Sequence, residues 1–150
     1  MKKILMLSTR YPFPVRKGDQ AVIKTRLAVL SSKITIDFVC FGKESERVHK
    51  LEKQYKNINF HVIPFSYAIA LTNCFFNIFS YLPFQVAAFD QPRIKAFTRQ
   101  LLQLNHYQFI HHFLIRSMMW SQGNKKSVRI MDAIDSVSYT HLTLPTTPYV

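Results

Sequence analysis

The sequence predicts an open, parallel α/β sheet with helices on both faces, and three observations carry that prediction. Short runs rich in apolar and β-branched residues recur at Ile4–Leu7, Ile34–Phe41, Ile58–Ile63, Tyr107–Ile115 and Ser127–Asp132. Helix-patterned stretches separate most of them, as expected of strands joined by crossover helices. The chain also opens on a distinctive sequence, KKILMLSTRYPFPVRKGDQ (Lys2 to Gln20). A buried strand, a basic Gly/Pro loop and a helix start make the opening of a Rossmann-like unit. In such units ligands gather beyond the carboxyl ends of the strands.

Each element has its own warrant. Ile4, Leu5, Met6 and Leu7 suit a strand buried on both faces. Pro12, Pro14 and Gly18 break that run, and Asp19 is a candidate N-cap for the first helix. Val22, Ile23, Leu27 and Leu30 recur at helical spacing; Gln20, Lys24, Thr25, Arg26 and Ser31 cover the other face. ITIDFVCF is a second strand, Glu44 to Tyr55 an exposed charged helix, and INFHVI a third strand ended by Pro64. From Val62 to Phe89 no residue carries a formal charge. Pro64, Ser66, Thr72, Asn73, Asn77, Ser80 and Pro83 interrupt this stretch, so a buried or half-buried helix is favoured over a membrane span. A membrane-surface element stays open, given Phe75, Phe76, Phe79 and Tyr81. Asp90 to Leu104 predicts a helix with Pro92 in its first turn and Ile94, Phe97, Leu101, Leu102 and Leu104 on one side. A fourth strand, a short helix from Arg116 to Gln122 and a fifth strand complete the pattern.

Composition narrows the class. With 48% hydrophobic and 19% charged residues, the 150-residue chain is globular and long enough for one core. Its formal net charge of +12 implies anionic partners: phosphorylated substrates, acidic lipid or nucleic acid. Cys40 and Cys74 lie in apolar surroundings without metal-ligand spacing and read as two buried thiols in a reducing compartment. The first apolar run is too short for a signal peptide and Arg10 interrupts it, so the start reads as mature and cytoplasmic. At the other end, Val137 to Thr146 (VSYTHLTLPT) resembles one translated frame of a transposase-type sequencing adapter. That resemblance implies one incomplete domain over 1–136, a non-native tail over 137–150 and a gene that continues.

Three places offer chemistry. Arg10, Arg16, Lys17 and Gly18 flank a helix start, where glycine permits close backbone approach and the helix terminus favours an anion. A solvated basic turn is the plainer reading. Neither GxGxxG nor GxxxxGK[ST] is present, which disfavours a dinucleotide fingerprint or a P-loop. FIHHFLIR (Phe109 to Arg116) brings His111, His112 and Arg116 to a strand end. Adjacent strand residues point to opposite faces, so at most one histidine meets a substrate and a metal pair is not expected. MDAIDS (Met131 to Ser136) places Asp132 and Asp135 at another strand end, for hydroxyl binding, acid–base work or helix capping.

Together these places resemble the N-terminal half of bacterial glycosyltransferase family 4-like enzymes, which have the two-domain GT-B fold. RYPFP (Arg10 to Pro14), KGD (Lys17 to Asp19), PFQV (Pro83 to Val86), YQFIHHFLIR and RIMDAIDS occur in the family's order. The resemblance implies transfer of a sugar from a nucleotide-sugar donor to a saccharide or lipid-linked acceptor in cell-envelope polysaccharide synthesis. It further implies retention at the anomeric carbon, no cofactor and no metal, and work in the cytoplasm or peripherally at the inner membrane face. Gly18 would sit by the donor phosphates with Arg10, Arg16, Lys17 and Asp19 near, while Arg116 and Asp132 bind substrate and His111 and Asp135 are catalytic. Phe113 stands where the family often has a second histidine, and Lys17 where it often has a first glycine; both are departures. On this reading the 150-residue chain alone lacks a donor-binding half and is inactive. The competing class, motivated by the +12 charge and 14% aromatic residues, is a non-catalytic basic Rossmann-like domain binding nucleic acid or another anionic partner. Nucleic acid is not expected, because no DNA- or RNA-binding signature appears.

Overall fold

A computed structural model describes residues 3–43, 55–79 and 82–132. The predicted helix from Glu44, the loop carrying Asp135 and the tail from Val137 lie outside the described residues, except for the helix's final residue, Tyr55.

The first strand, β1 (Lys3–Ser8), is the centre of the sheet, and its sequence explains why. Leu5, Met6 and Leu7 are fully buried, so apolar side chains point to both faces. Only an interior strand covered on both sides tolerates that pattern. Four more strands pair in parallel with it or with its neighbours: β2 (Thr35–Phe41), β3 (Ile58–Ile63), β4 (Phe109–Phe113) and β5 (Val128–Asp132). The order is β3-β2-β1-β4-β5, an open Rossmann-like sheet as predicted.

Helices cover both faces. On one side α1 (Gly18–Ser31) buries Ile23 and Leu27 against Met6, Ile36, Phe38, Cys40, Phe60 and Phe113. On the other, α4 (Pro92–Leu104) and a 3-10 turn (Ile115–Ser121) pack Ile94 and Trp120 against Leu5, Leu7, Val39 and Ile110. Between β3 and α4 the uncharged stretch divides into α2 (Tyr67–Phe76), a 3-10 turn (Asn77–Phe79) and α3 (Phe84–Phe89). Among the described residues no helix is long and apolar enough to cross a membrane.

Several expectations need correction. The N-cap of α1 is Lys17, not Asp19. The Gln20 amide oxygen accepts from the backbone N–H groups of Arg16 (2.9 Å) and Lys17 (3.1 Å), which starts the helix early. Leu104 is exposed because α4 ends there, and the apolar side is completed by the buried Thr98 instead. The short helix expected after β4 is present, as a 3-10 helix over Ile115–Ser121. Cys74 is only half-buried. Of the two expectations for the uncharged helix, α2 meets the half-buried one: Ile69, Ala70, Asn73 and Cys74 are half-buried and no residue is fully buried.

Candidate functional site

The strand order reverses between β1 and β4: α1 departs from β1 to one face, and the 3-10 turn departs from β4 to the other. Crevices of this kind, outside the carboxyl ends, are where open α/β sheets bind ligands. The register there is simple. Ser8 pairs with Phe113, and Phe113 with Asp132, in one row across the carboxyl edge. His111 lies two residues back on β4 and therefore on the same face as Phe113. Leu114, directly after β4, has φ 72°, a strained conformation for a branched side chain, and strain of this kind concentrates at functional sites.

Into this row reaches Arg26, which the sequence pattern assigned to the outer face of α1. Its guanidinium pairs with the Asp132 carboxylate, and Nη1 lies 3.1 Å from His111 Nε2. His111 Nε2 is in turn 3.8 Å from Asp132 Oδ2, and its ring lies 4.4 Å from that of Phe113, centre to centre. Because Arg26 can only donate, Nε2 is the acceptor and the His111 proton sits on Nδ1. Burial lowers the imidazole's pKa, the Arg26 charge lowers it further, and Asp132 opposes both. His111 is thus neutral at pH 7, beside an ion pair that is open to solvent on the arginine side. The Arg26 side chain keeps 40% of its surface exposed, so the pair itself contributes at most about 1 kcal/mol. Arg26 was legible only as a long side chain one turn beyond Ile23 and one before Leu30, on the border of the apolar stripe.

The loop from β1 to α1 is built to hold its shape. Tyr11 and Phe13 pack onto the α1-side core, and Tyr11 lies edge-on to Phe60. Ser8 Oγ accepts from the Arg10 N–H at 3.2 Å, and Gln20 Nε2 donates to Tyr11 O at 2.9 Å. Arg10 is paired with Asp19 at 3.1 Å, so these two residues brace the loop. Arg16 and Lys17 are exposed at the start of α1. A Cβ placed on Gly18 meets no atom within 4 Å, and its φ is not in the left-handed region, so nothing within the described chain requires glycine there.

The other residues at strand ends are differently employed. His112 faces the opposite side of the sheet, fully buried, with Nδ1 3.3 Å from Ser117 Oγ and Nε2 2.9 Å from Ser121 Oγ. Burial, chiefly, lowers its pKa to about 4. Arg116 donates from Nε and Nη2 to Gln85 Oε1 (3.2 and 2.8 Å) and lies over the Phe89 ring. Among the described residues no three His, Cys, Asp or Glu side chains are grouped to hold a metal ion.

Two further polar features lie toward the amino ends of the strands. Asp37 on β2 is buried among Lys3 (2.7 Å), Asn59 (2.7 Å) and the Tyr107 hydroxyl, with His61 Nε2 at 3.7 Å. Burial alone would raise the Asp37 pKa, but these partners together hold it well below the usual carboxylate range. Nearby, a cleft of about 680 Å³ is lined in part by Arg99, His106, Tyr107, Trp120, Lys125 and Lys126. The row at the carboxyl edge is therefore an assembled polar cluster, whereas the 680 Å³ cleft lies at the other end of the sheet.

Comparison of the chain with protein-family models, curated proteins and solved structures finds no match. The architecture itself is one that many nucleotide-binding and group-transfer enzymes share.

Proposed function

We propose that this chain forms the acceptor-side half of a sugar-transfer cleft, acting with a nucleotide-sugar donor on a saccharide or lipid-linked acceptor of the cell envelope. The observation that carries the reading is the convergence on one carboxyl edge of the braced basic loop, the start of α1 and the Arg26–His111–Asp132 cluster. The resemblance of RYPFP, KGD and RIMDAIDS to glycosyltransferase family 4-like enzymes points the same way. Transfer breaks the bond from the anomeric carbon to a phosphate oxygen and forms one to the acceptor oxygen. The acceptor hydroxyl loses its proton, which the departing diphosphate takes up, and Arg16, Lys17 and the α1 N-terminus would stabilise the charge that builds on that diphosphate. Arg26 is the movable part. An arriving phosphate draws the exposed guanidinium away from His111 and Asp132, leaving the imidazole and the carboxylate to orient an acceptor hydroxyl.

The test is calorimetric titration of the 150-residue chain with pyrophosphate, nucleoside diphosphates and nucleotide sugars. Diphosphate binding that weakens about tenfold or more in Arg26→Ala supports the reading. Full-strength binding by that variant contradicts it. Turnover by this chain alone is expected to be absent, and robust product would overturn the half-cleft part of the proposal. A second reading, a non-catalytic anion-binding domain, draws on the basic lining of the amino-end cleft. It predicts diphosphate binding lost in Lys125→Ala/Lys126→Ala and kept in Arg26→Ala.

A further inference from the structure

The sequence of α2 is arranged inside out. Its half-buried side carries Asn73, whose amide donates to the carbonyl oxygens of Ala87 (3.2 Å) and Asp90 (2.9 Å), and Cys74, 3.7 Å from Phe84 O. Tyr67, Leu71 and Phe75 recur every four residues on the outer side, and Phe76 joins them. Tyr67 is 82% exposed, Leu71 74%, Phe75 65% and Phe76 76%. Ile78, Leu82 and Phe84 beyond the helix are exposed as well. A surface helix ordinarily turns its apolar stripe inward. A contiguous apolar face of this size, outward on a helix that packs on α3, marks a surface with a partner.

We propose that this partner is an anionic lipid bilayer, with α2 lying in the plane of the interface and its Tyr/Leu/Phe stripe in the headgroup–acyl boundary. Charge chooses among the occupants. No residue from Val62 to Phe89 carries a formal charge, so insertion buries none. The chain as a whole has 20 Lys and Arg against 8 Asp and Glu, a net +12 that an acidic leaflet attracts. A second copy of the chain brings the same +12 and is repelled. Aromatic rings, such as the Phe75–Phe76 pair 5.8 Å apart, suit the headgroup level. Because α2 follows the carboxyl end of β3, docking presents that edge of the sheet, the one with His111 and Asp132, to the membrane surface. The docking stands apart from the sugar-transfer reading and survives if that reading fails.

Flotation of the chain with phosphatidylcholine vesicles, with and without phosphatidylglycerol, tests it. The chain is expected to float with the anionic vesicles only. Leu71→Glu and Phe75→Glu should each weaken that binding about tenfold or more. Val29→Glu makes the same charge change at an exposed apolar position of α1 and should leave it intact. Circular dichroism confirms that each variant is folded. Unchanged flotation of the α2 variants would mean attraction by charge alone and overturn the proposal. Absent flotation, or a dimer in sedimentation that Leu71→Glu dissociates, would overturn it too.

Discussion

Asp37 and Asp132 are two aspartates on one sheet, each beside a histidine and a cation, and they serve opposite ends. Asp37 is 1% exposed and collects Lys3, Asn59 and Tyr107 around it, with His61 close by. Every partner comes from a strand or strand entry, so the cluster fastens the amino ends of β1 to β4 together. Among the described residues Asp132 has fewer partners, and the cation beside it, Arg26, belongs to a helix and stays substantially exposed. A carboxylate enclosed by donors is a fastening; one paired with a partly exposed cation at a carboxyl edge is, on the proposed reading, available for exchange with a ligand. Number of partners and access, more than residue type, separate the two.

The most forceful way to break the comparison is to remove each carboxylate in turn. Asp37→Ala leaves Lys3 and Tyr107 without their buried acceptor and should cost about 3 kcal/mol, read as a lower urea midpoint. Asp132→Ala should cost about 1 kcal/mol or less. Equal costs would erase the distinction.

Acid probes the buried side next. His112 has its pKa lowered to about 4 from the ordinary 6.5, so the unfolded chain binds more protons between those values. Stability is then full above pH 6.5 and falls as the pH drops toward 4, by at most about 3 kcal/mol. Asp37, with its pKa lowered, adds a further loss below the ordinary carboxylate pKa of 3.8. Urea titrations across this range should show the slope, and His112→Gln should flatten its upper part. An unchanged slope in that variant would place the titrating group elsewhere.

The exposed side should respond in ligand binding and hardly in stability. Arg26→Ala should shift the midpoint by less than about 1 kcal/mol, yet the His111 pKa should rise because a cation that lowered it is gone. A fall in that pKa on NMR titration would contradict the contact. The smallest effect belongs to Gly18→Ala. The added methyl meets nothing, so stability should hold or rise by about 0.5 kcal/mol while diphosphate binding weakens. Unweakened binding would remove Gly18 from the site.

The sheet was legible in the sequence because buried strands advertise themselves. Leu5–Met6–Leu7 and ITIDFVCF cannot be anything amphipathic, and INFHVI, ended by Pro64, matches β3 residue for residue. The opposite fates of His111 and His112 followed from strand alternation alone. What stayed hidden depended on reach. Arg26 sits among the polar residues of α1, and only three-dimensional packing reveals that its long side chain crosses to β5. Asp37 looks out of place in a buried strand, and the partners that satisfy it come from positions far apart in the chain. The outward stripe of α2 was illegible for another reason. Its hydrophobicity is the same whether it faces a core or a membrane, and only burial distinguishes them.

On the proposed reading Arg26 turns from His111 and Asp132 to bind a diphosphate. Histidine-ring NMR during a pyrophosphate titration tests it most directly, because the chain supplies its own controls. The His111 signals should move saturably as Arg26 turns to the anion, while those of His112 and His61 hold still. Movement of all three together, or of none at saturating diphosphate, would contradict it.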